Sequence, residues 1–272
     1  LGESKLQLDT VLAGDCLKVL ARYPDNYFDA CITDPPYNIS GHEGKKEIGW
    51  LKSNPTWKEE KKFTKINESW DTFTTGDYLS FTTAWIKEIS RVVKQNGNIL
   101  IFGSYHNIYR IGSTLEDFDI RIVNSITWFK RNAFPNVTQR MFCESTEQII
   151  WAVNNTRKKA KNWTFNYHVM KSLTENGKQM RNMWDIPMTP TLERKHGRHP
   201  SQKPLEIGNR LVLGCTNIGD KIIDPFSGSG SFVVSAKLHD RHYLGIDREP
   251  EFVKLAKKRL KAASSQDSLG FS

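Results

Sequence analysis

Ile222-Ile223-Asp224-Pro225-Phe226-Ser227-Gly228-Ser229-Gly230 reads as a buried strand that breaks into a Gly-x-Gly turn, with a helix following over residues 230–238. Glycines at 228 and 230 let the backbone approach a ligand where a Cβ would intrude. The next strand, Tyr243-Leu244-Gly245-Ile246, ends in Asp247, 23 positions after Asp224. That is about where a βαβ unit sets an acid against ribose hydroxyls. A nucleoside-bearing ligand is therefore expected, the competing reading being a purely structural glycine corner.

The turn departs from the dinucleotide fingerprint. Val233 stands where a third glycine would fall, and Asp224 precedes the loop. A carboxylate there suits a cationic ligand. S-adenosylmethionine carries an amino group and a sulfonium but no pyrophosphate, so it needs acidic and aromatic partners, Phe226 among them, more than an anion cradle.

Upstream, residues 9–14 form a short apolar segment, 16–23 a short helix and 28–33 a buried strand. Apolar residues at Leu79, Trp85, Ile86, Ile89, Val92 and Val93 give 78–93 helical spacing, and Gly97 is expected to stop that helix before a strand at 98–102. A helix at 108–116 and strands at 122–129 and 147–153 continue the alternation, which implies an α/β sheet. Later come a helix at 204–215, strands at 221–224 and 242–247, and a final helix at 250–263.

Two stretches interrupt this order. Residues 40–71 are polar, Lys-rich and Gly-punctuated, as in a long loop over a site or a merely solvated insertion. Between 154 and 197 the apolar pattern weakens, Arg157, Lys158, Lys159 and Lys161 cluster, and Trp163, Phe165, Tyr167 and Trp184 interleave. This reads as an inserted, partner-contacting region; the alternative is a surface loop whose aromatics fill a satellite core. A single domain over 1–263 is expected, with a catalytic half at 8–153, the insertion at about 154–198, a cofactor-binding half at 199–263 and a disordered tail at 264–272.

A second motif, Asp34-Pro35-Pro36-Tyr37, stands at the end of the 28–33 strand. Its prolines fix a rigid loop and leave the Pro35 carbonyl without a competing local donor. The exocyclic amine of a base is a poor nucleophile because its lone pair is conjugated with the ring. Two acceptors side by side, the Asp34 carboxylate and the Pro35 carbonyl, can pull its hydrogens and localise that pair. Tyr37 would offer a π-face to a base swung out of a duplex. A simple strand-end turn is the plainer alternative.

The 272 residues carry 39 Lys and Arg against 30 Asp and Glu, a formal charge of +9, which favours a polyanionic partner such as nucleic acid. The chain is long enough for a real core, so a peptide or mini-scaffold is excluded. Cys16, Cys31, Cys143 and Cys215 are scattered without a CxxC pair, so neither a metal site nor a disulfide framework is expected. No run approaches 18 apolar residues, and residues 1–10 lack a signal-peptide pattern, so no membrane association and a cytosolic location are expected.

Taken together, the motifs resemble the β-group amino-methylating DNA methyltransferases, in which the catalytic tetrapeptide precedes the cofactor loop. The matching order is Asp34-Pro35-Pro36-Tyr37, a target-recognition region, His199-Pro200-Ser201-Gln202-Lys203-Pro204, then Asp224 to Gly230. Gly14-Asp15-Cys16, the segment from Gly103 to Gly112, and Gly245-Ile246-Asp247-Arg248-Glu249 extend the likeness over roughly residues 8–262. Trp128, Lys130, Asn132, Pro135 and Asn136, with 181–187, look most like the subgroup of the HinfI and CcrM adenine methyltransferases and the second methyltransferase of the DpnII system; Ala133 departs from its usual proline.

The resemblance implies a doubly wound, mostly parallel, seven-stranded sheet of the class I S-adenosylmethionine-dependent kind. It implies adenine-N6 methylation of flipped bases in a short GANTC- or GATC-like site, without a metal. Asp34, Pro35, Pro36 and Tyr37 become the catalytic residues. Asp15, Cys16, Asp34, His199, Lys203, Asp224, Phe226, Gly228, Gly230 and Asp247 become cofactor-binding, with Lys203 placed to pair with the cofactor's carboxylate. Lys130, Arg131, Asn132, Arg140, Arg157, Lys158, Lys159 and Lys161 are the candidate DNA contacts, on the face that joins the 40–71 loop and the 154–197 region. A homodimer, a cognate restriction endonuclease and a bacterial, nucleoid-associated location follow by analogy. The rivals are cytosine-N4 methylation, which more often has Ser at the Asp34 position, methylation of RNA or a protein glutamine, and an inactive DNA- or nucleotide-binding module.

Overall fold

A computed structural model describes residues 6–38, 73–136 and 139–263; the expectations for 40–71 and 264–272 lie outside these described residues. The described elements are β1 (Thr10–Ala13), α1 (Cys16–Leu20), β2 (Phe28–Thr33), α2 (Thr75–Val92), β3 (Val93–Gly103), α3 (Ile108–Asp117), β4 (Arg121–Phe129), β5 (Thr146–Val153), α4 (Tyr167–Ser172), β6 (Met183–Asp185), α5 (Leu205–Cys215), β7 (Lys221–Asp224), α6 (Ser231–Leu238), β8 (His242–Asp247) and α7 (Pro250–Ala262). All the described strands join one sheet in the order β1-β8-β7-β2-β3-β5-β4-β6. β5 runs antiparallel to both its neighbours, while the other pairings are parallel.

The sheet has eight strands rather than seven. The addition is β6, which pairs with β4 through Thr127–Met183, Trp128–Trp184 and Phe129–Asp185. It falls inside the expected insertion, and its Trp184 is buried in the main core with Ile186 beside it. Trp163 packs against the same core, so part of the aromatic interleaving at 154–198 is core filling. Gly97 does not stop a helix. α2 ends at Val92 and β3 begins at once, so Gly97 lies within the strand, where a Cβ would sit 2.6 Å from the Asp29 carbonyl.

Period-two alternation divides the core between the faces of the sheet. Ile32, Leu100 and Phe102 face a layer containing α5, α6 and α7; Cys31, Ile99 and Ile101 face one containing α1, α2 and α3. The helices start where the sequence supplies caps. Asp15 accepts from the Lys18 amide at α1, Thr74 from the Asp77 amide at α2, and Pro250 opens α7.

The chain winds from β2 to β3 on one side and from β7 to β8 on the other, and β2 and β7 are neighbours. Such a switch point leaves a crevice at the carboxyl ends of the strands, where open α/β sheets bind ligands. No described helix is long and apolar enough to cross a membrane.

Candidate active site

The crevice is lined from four strand ends. Gly14, Asp15 and Cys16 follow β1, Asp34 to Tyr37 follow β2, Pro225 to Ser229 follow β7, and Asp247 to Glu249 close β8. Phe73, Phe81, Phe232 and Phe252 add aromatic walls, and the segment from His199 to Lys203 crosses beside them. The two motifs, nearly 200 positions apart in the chain, thus share one cleft.

The glycine turn uses the freedom expected of it. Gly228 has φ +48° and Gly230 φ +80°, and a Cβ on Gly228 would lie 2.9 Å from His199 Nε2. Gly228 N donates to Asp247 Oδ2 (2.7 Å) and Glu249 N to Asp247 Oδ1 (2.8 Å), so Asp247 ties the loop to the end of β8. Each oxygen keeps acceptor capacity for a hydroxyl. From α7, Arg259 Nη1 donates to the Ser229 carbonyl (2.8 Å) and clamps the turn from below.

Two cofactor assignments change. Asp224 does not line the cleft: it is 1% exposed, accepts from Thr33 Oγ1 and the Phe226 amide, and burial pushes its carboxyl up to about 8. It is a protonatable strut under the loop, not a counter-charge to a cation. Lys203 reaches the site but is buried, and its ammonium donates to Asp34 Oδ2 and lies 3.4 Å from Glu147 Oε2. It is thereby committed to side-chain carboxylates rather than to a ligand's.

Of the others, burial pushes His199 down to about 3, which makes it a neutral wall packed edge-on against Phe252 at 4.3 Å. Cys16 is pushed up to about 12 by burial and is an unreactive lining thiol. Ser227 Oγ is buried without a partner among the described residues. Acids Asp15, Asp247 and Glu249 at the rim, aromatic walls and that unmatched hydroxyl fit a nucleoside carrying positive charge better than a pyrophosphate.

At the catalytic loop, Tyr78 Oη donates to the Pro36 carbonyl (2.8 Å) and Phe73 N to Asn38 Oδ1 (2.9 Å), which fixes both sides of the turn. No donor among the described residues bonds the Pro35 carbonyl. Tyr37 Oη donates to Asp34 Oδ1 at 2.6 Å and stands 3.1 Å from Glu147 Oε2. Lys130 Nζ donates to Glu147 Oε1 at 3.3 Å. Burial, with Glu147's charge added, outweighs Lys203 and Tyr37 and raises the Asp34 pKa. Burial acts on Glu147 too, but the two lysines and the Tyr37 bond outweigh it and leave that carboxyl below its usual value.

Glu147 escaped sequence reasoning. It opens an otherwise ordinary apolar strand, and only the register of β5 against β3, which pairs Gln148 with Gly103, carries it to the catalytic end. An acid at the mouth of an apolar strand was the available signal.

The candidate DNA contacts separate into two groups. Lys130, Arg131, Asn132 and Arg140 lie between β4 and β5 at the catalytic end, where Arg131 Nε pairs with Asp185 (2.8 Å) and Asn132 Oδ1 accepts from Met188 N (2.8 Å). Arg157, Lys158, Lys159 and Lys161 are exposed but follow the opposite end of β5. There the Lys161 amide donates to Asn96 Oδ1, and Asn98 on β3 pairs with Val153. Six residues of strand separate Glu147 from Val153, about 20 Å. That cluster is therefore not on the catalytic face, because β5 runs antiparallel and delivers the chain to the amino ends of β2 and β3.

A doubly wound sheet with an Asp-Pro-Pro-Tyr loop and a glycine turn in one switch-point cleft defines an amino-methyltransferase class of site. The family model described as DNA methylase matches residues 28–258, and the chain belongs to that family. It is 39% identical over 250 residues to the type II methyltransferase M2.DpnII of Streptococcus pneumoniae, spanning 91% of this chain and 88% of that one. Type II methyltransferase M2.MboI of Moraxella bovis is 36% identical over 92% of this chain and 86% of its own length. Among solved structures, the M1.HpyAVI–SAM complex superposes with TM-score 0.63 at 26% identity, covering 92% of this chain and 98% of that one. The PvuII cytosine-N4-specific DNA methyltransferase shares the fold at TM-score 0.68 and 16% identity, over 96% and 90% of the two chains.

Proposed function

We propose that this DNA methyltransferase transfers a methyl group from S-adenosylmethionine to the N6 amine of adenine within a short GANTC- or GATC-like site. The observation that carries the reading is the acceptor pair of Asp34 and the Pro35 carbonyl, set in the same cleft as the Gly228–Gly230 turn. The solved complex of M1.HpyAVI with SAM and the type II methyltransferase relatives support it.

When bound, S-adenosylmethionine supplies a methyl group already activated by its sulfonium. Phe226 and its aromatic neighbours would hold the adenosyl part, with Asp247 at the ribose and Asp15 and Cys16 bordering the base. Asp34 and the Pro35 carbonyl accept the two hydrogens of the target amine and turn its lone pair outward. Tyr37, its hydroxyl pinned by Asp34, offers its ring to the flipped base. Positioning supplies most of the acceleration, because nucleophile and electrophile need only be held in line.

The DNA would lie across the catalytic end, over Lys130, Arg131, Asn132 and Arg140 and the basic turn of Arg194, Lys195 and Arg198, which lines a second hollow with Thr191 and Leu192 and runs directly into His199. Target recognition then falls to the catalytic-end parts of 154–198 rather than to the whole segment. By family likeness we also assign a homodimer, a cognate endonuclease and the nucleoid of a bacterial cytoplasm.

The test is methylation of an unmethylated bacterial genome by purified protein, read by single-molecule sequencing. N6-methyladenine in one short motif is the expected outcome. N4-methylcytosine would overturn the base assignment, and no mark with cofactor bound would overturn duplex DNA as the substrate. Asp34→Ala should abolish turnover and leave cofactor affinity within about threefold, since the amine loses its acceptor while the walls around Phe226 and the Gly228–Gly230 turn stay in place.

A further inference from the structure

We infer that Glu147 is a positioning residue for methyl transfer: it keeps the buried Lys203 ammonium paired when Asp34 takes up the proton shed by the methylated amine. The inference rests on the amine-methylation reading above and assigns a role to a side chain that reading does not use.

Two carboxylates share one ammonium here. Lys203, 4% exposed at its side chain, donates to Asp34 Oδ2, reaches Glu147 Oε2 at 3.4 Å and also donates to the Ser201 carbonyl at 3.3 Å. Tyr37 Oη has a single hydrogen and stands between Asp34 Oδ1 at 2.6 Å and Glu147 Oε2 at 3.1 Å. Lys130 at 3.3 Å backs the outer oxygen of Glu147. Asp34 and Glu147 thus share two partners, Tyr37 and Lys203, and Glu147 alone adds a third in Lys130.

The proton balance gives this symmetry its use. The amine nitrogen forms its bond to the methyl carbon with its lone pair, the carbon–sulfur pair leaves with sulfur, and the nitrogen is positive until a proton departs. That proton goes to Asp34, the carboxylate already against the amine, and later to solvent. Once neutral, Asp34 no longer compensates Lys203, and an unpaired ammonium at this depth is costly. Glu147 remains charged, retains Lys203 and takes the Tyr37 hydrogen bond, so the loop holds its shape through the turnover.

The charged and titratable groups around Asp34 assign the proton to it. Lys203 comes from the segment before α5, Glu147 from β5 and Tyr37 from the loop itself, while Asp224 lies at the end of β7 and Lys130 lies behind Glu147. Glu147 has two lysines and Asp34 one, so the proton settles on Asp34, in keeping with the raised Asp34 and lowered Glu147 pKa values.

Glu147→Gln and Glu147→Asp test this by single-turnover methylation against pH, by calorimetric cofactor affinity, and by carbon-13 carboxyl NMR of the free enzyme, with Asp34 assigned from an Asp34→Asn spectrum. Glu147→Gln should slow methyl transfer by about a hundredfold at neutral pH while cofactor affinity stays within about threefold. Removing the negative neighbour should also move the Asp34 titration, and the acid limb of the rate, about one unit lower in pH. Glu147→Asp should restore much of the rate.

An unmoved Asp34 titration, or a Gln variant as fast as the parent, overturns the role. Lower activity that only tracks a smaller yield of folded protein, with the acid limb in place, does so as well. A parent enzyme that methylates no DNA would instead overturn the underlying reading, and the NMR titration separates that failure from this one.

Discussion

Thr33 Oγ1 donates a 2.8 Å hydrogen bond to Asp224 Oδ1 and ties together the last residues of β2 and β7, which are 191 positions apart in the chain. The bond lies beneath both functional loops, and through the Phe226 amide, 3.2 Å from the same oxygen, it also sets the start of the cofactor turn. Asp224 Oδ2 has no partner among the described residues, which suits a neutral carboxyl better than an ionised one.

Burial raises the Asp224 pKa to about 8 in the folded protein. The folded state then binds a proton that the unfolded chain, at roughly 3.9, has lost, so stability is full below about pH 4 and falls as pH climbs through about 8. Asp224→Asn keeps the shape and removes the ionisation. It should flatten the decline in stability between about pH 4 and about pH 8 by up to about 1 kcal/mol per pH unit, seen by scanning calorimetry. Parallel declines in the two proteins would refute it, because other raised carboxyls such as Asp247 contribute equally to both.

Gly228→Ala should weaken cofactor binding roughly tenfold and cost about 1–2 kcal/mol of stability, since it adds left-handed strain and a Cβ 2.9 Å from His199 Nε2. Gly177→Ala is the control. Its φ is +56° but nothing lies within 4 Å of the new Cβ, so stability should fall with cofactor affinity intact. Equal affinity losses in both variants would show that the His199 contact is irrelevant.

Local patterns made most of the frame legible. Lys221–Asp224 and His242–Asp247 are strands with the expected bounds, because β-branched or apolar runs stop at a glycine turn or an acid. The catalytic and cofactor motifs were readable for the same reason: each is a contiguous piece of chain with its own backbone demands. What stayed hidden depends on register and on distant partners. Met183–Asp185 is too short for periodicity to show, and its strand character comes from the open edge of β4. Lys203 read as a ligand-pairing residue because its sequence neighbours say nothing of Asp34 and Glu147, 169 and 56 positions away.

Trp184 tests whether β6 belongs to the core or to a detachable insertion. It is 5% exposed, donates from Nε1 to the Arg181 carbonyl at 2.9 Å and has the Arg210 guanidinium 5.4 Å from its ring. Trp184→Ala should cost about 3–5 kcal/mol in urea unfolding, with a single transition. A cost below about 1 kcal/mol would mark the segment as a surface loop.

The two basic clusters make opposing predictions for DNA. Neutralising Arg157, Lys158, Lys159 and Lys161 together should change duplex affinity by less than about threefold at about 0.15 M salt, because they sit at the far end of β5 and contribute only long-range charge, screened over a Debye length of about 8 Å. Replacing Arg194, Lys195 and Arg198 with alanine should weaken binding by about tenfold or more and lower the salt slope by about one for each phosphate left unneutralised. Fluorescence anisotropy across a salt series measures both. Since these residues would bind phosphate, all sequences should weaken alike and the methylated motif should not relax. The reverse ranking, with the 157–161 variant the weaker binder, would move the DNA to the opposite end of the sheet and away from Asp34, which no methyl transfer at this cleft could accommodate.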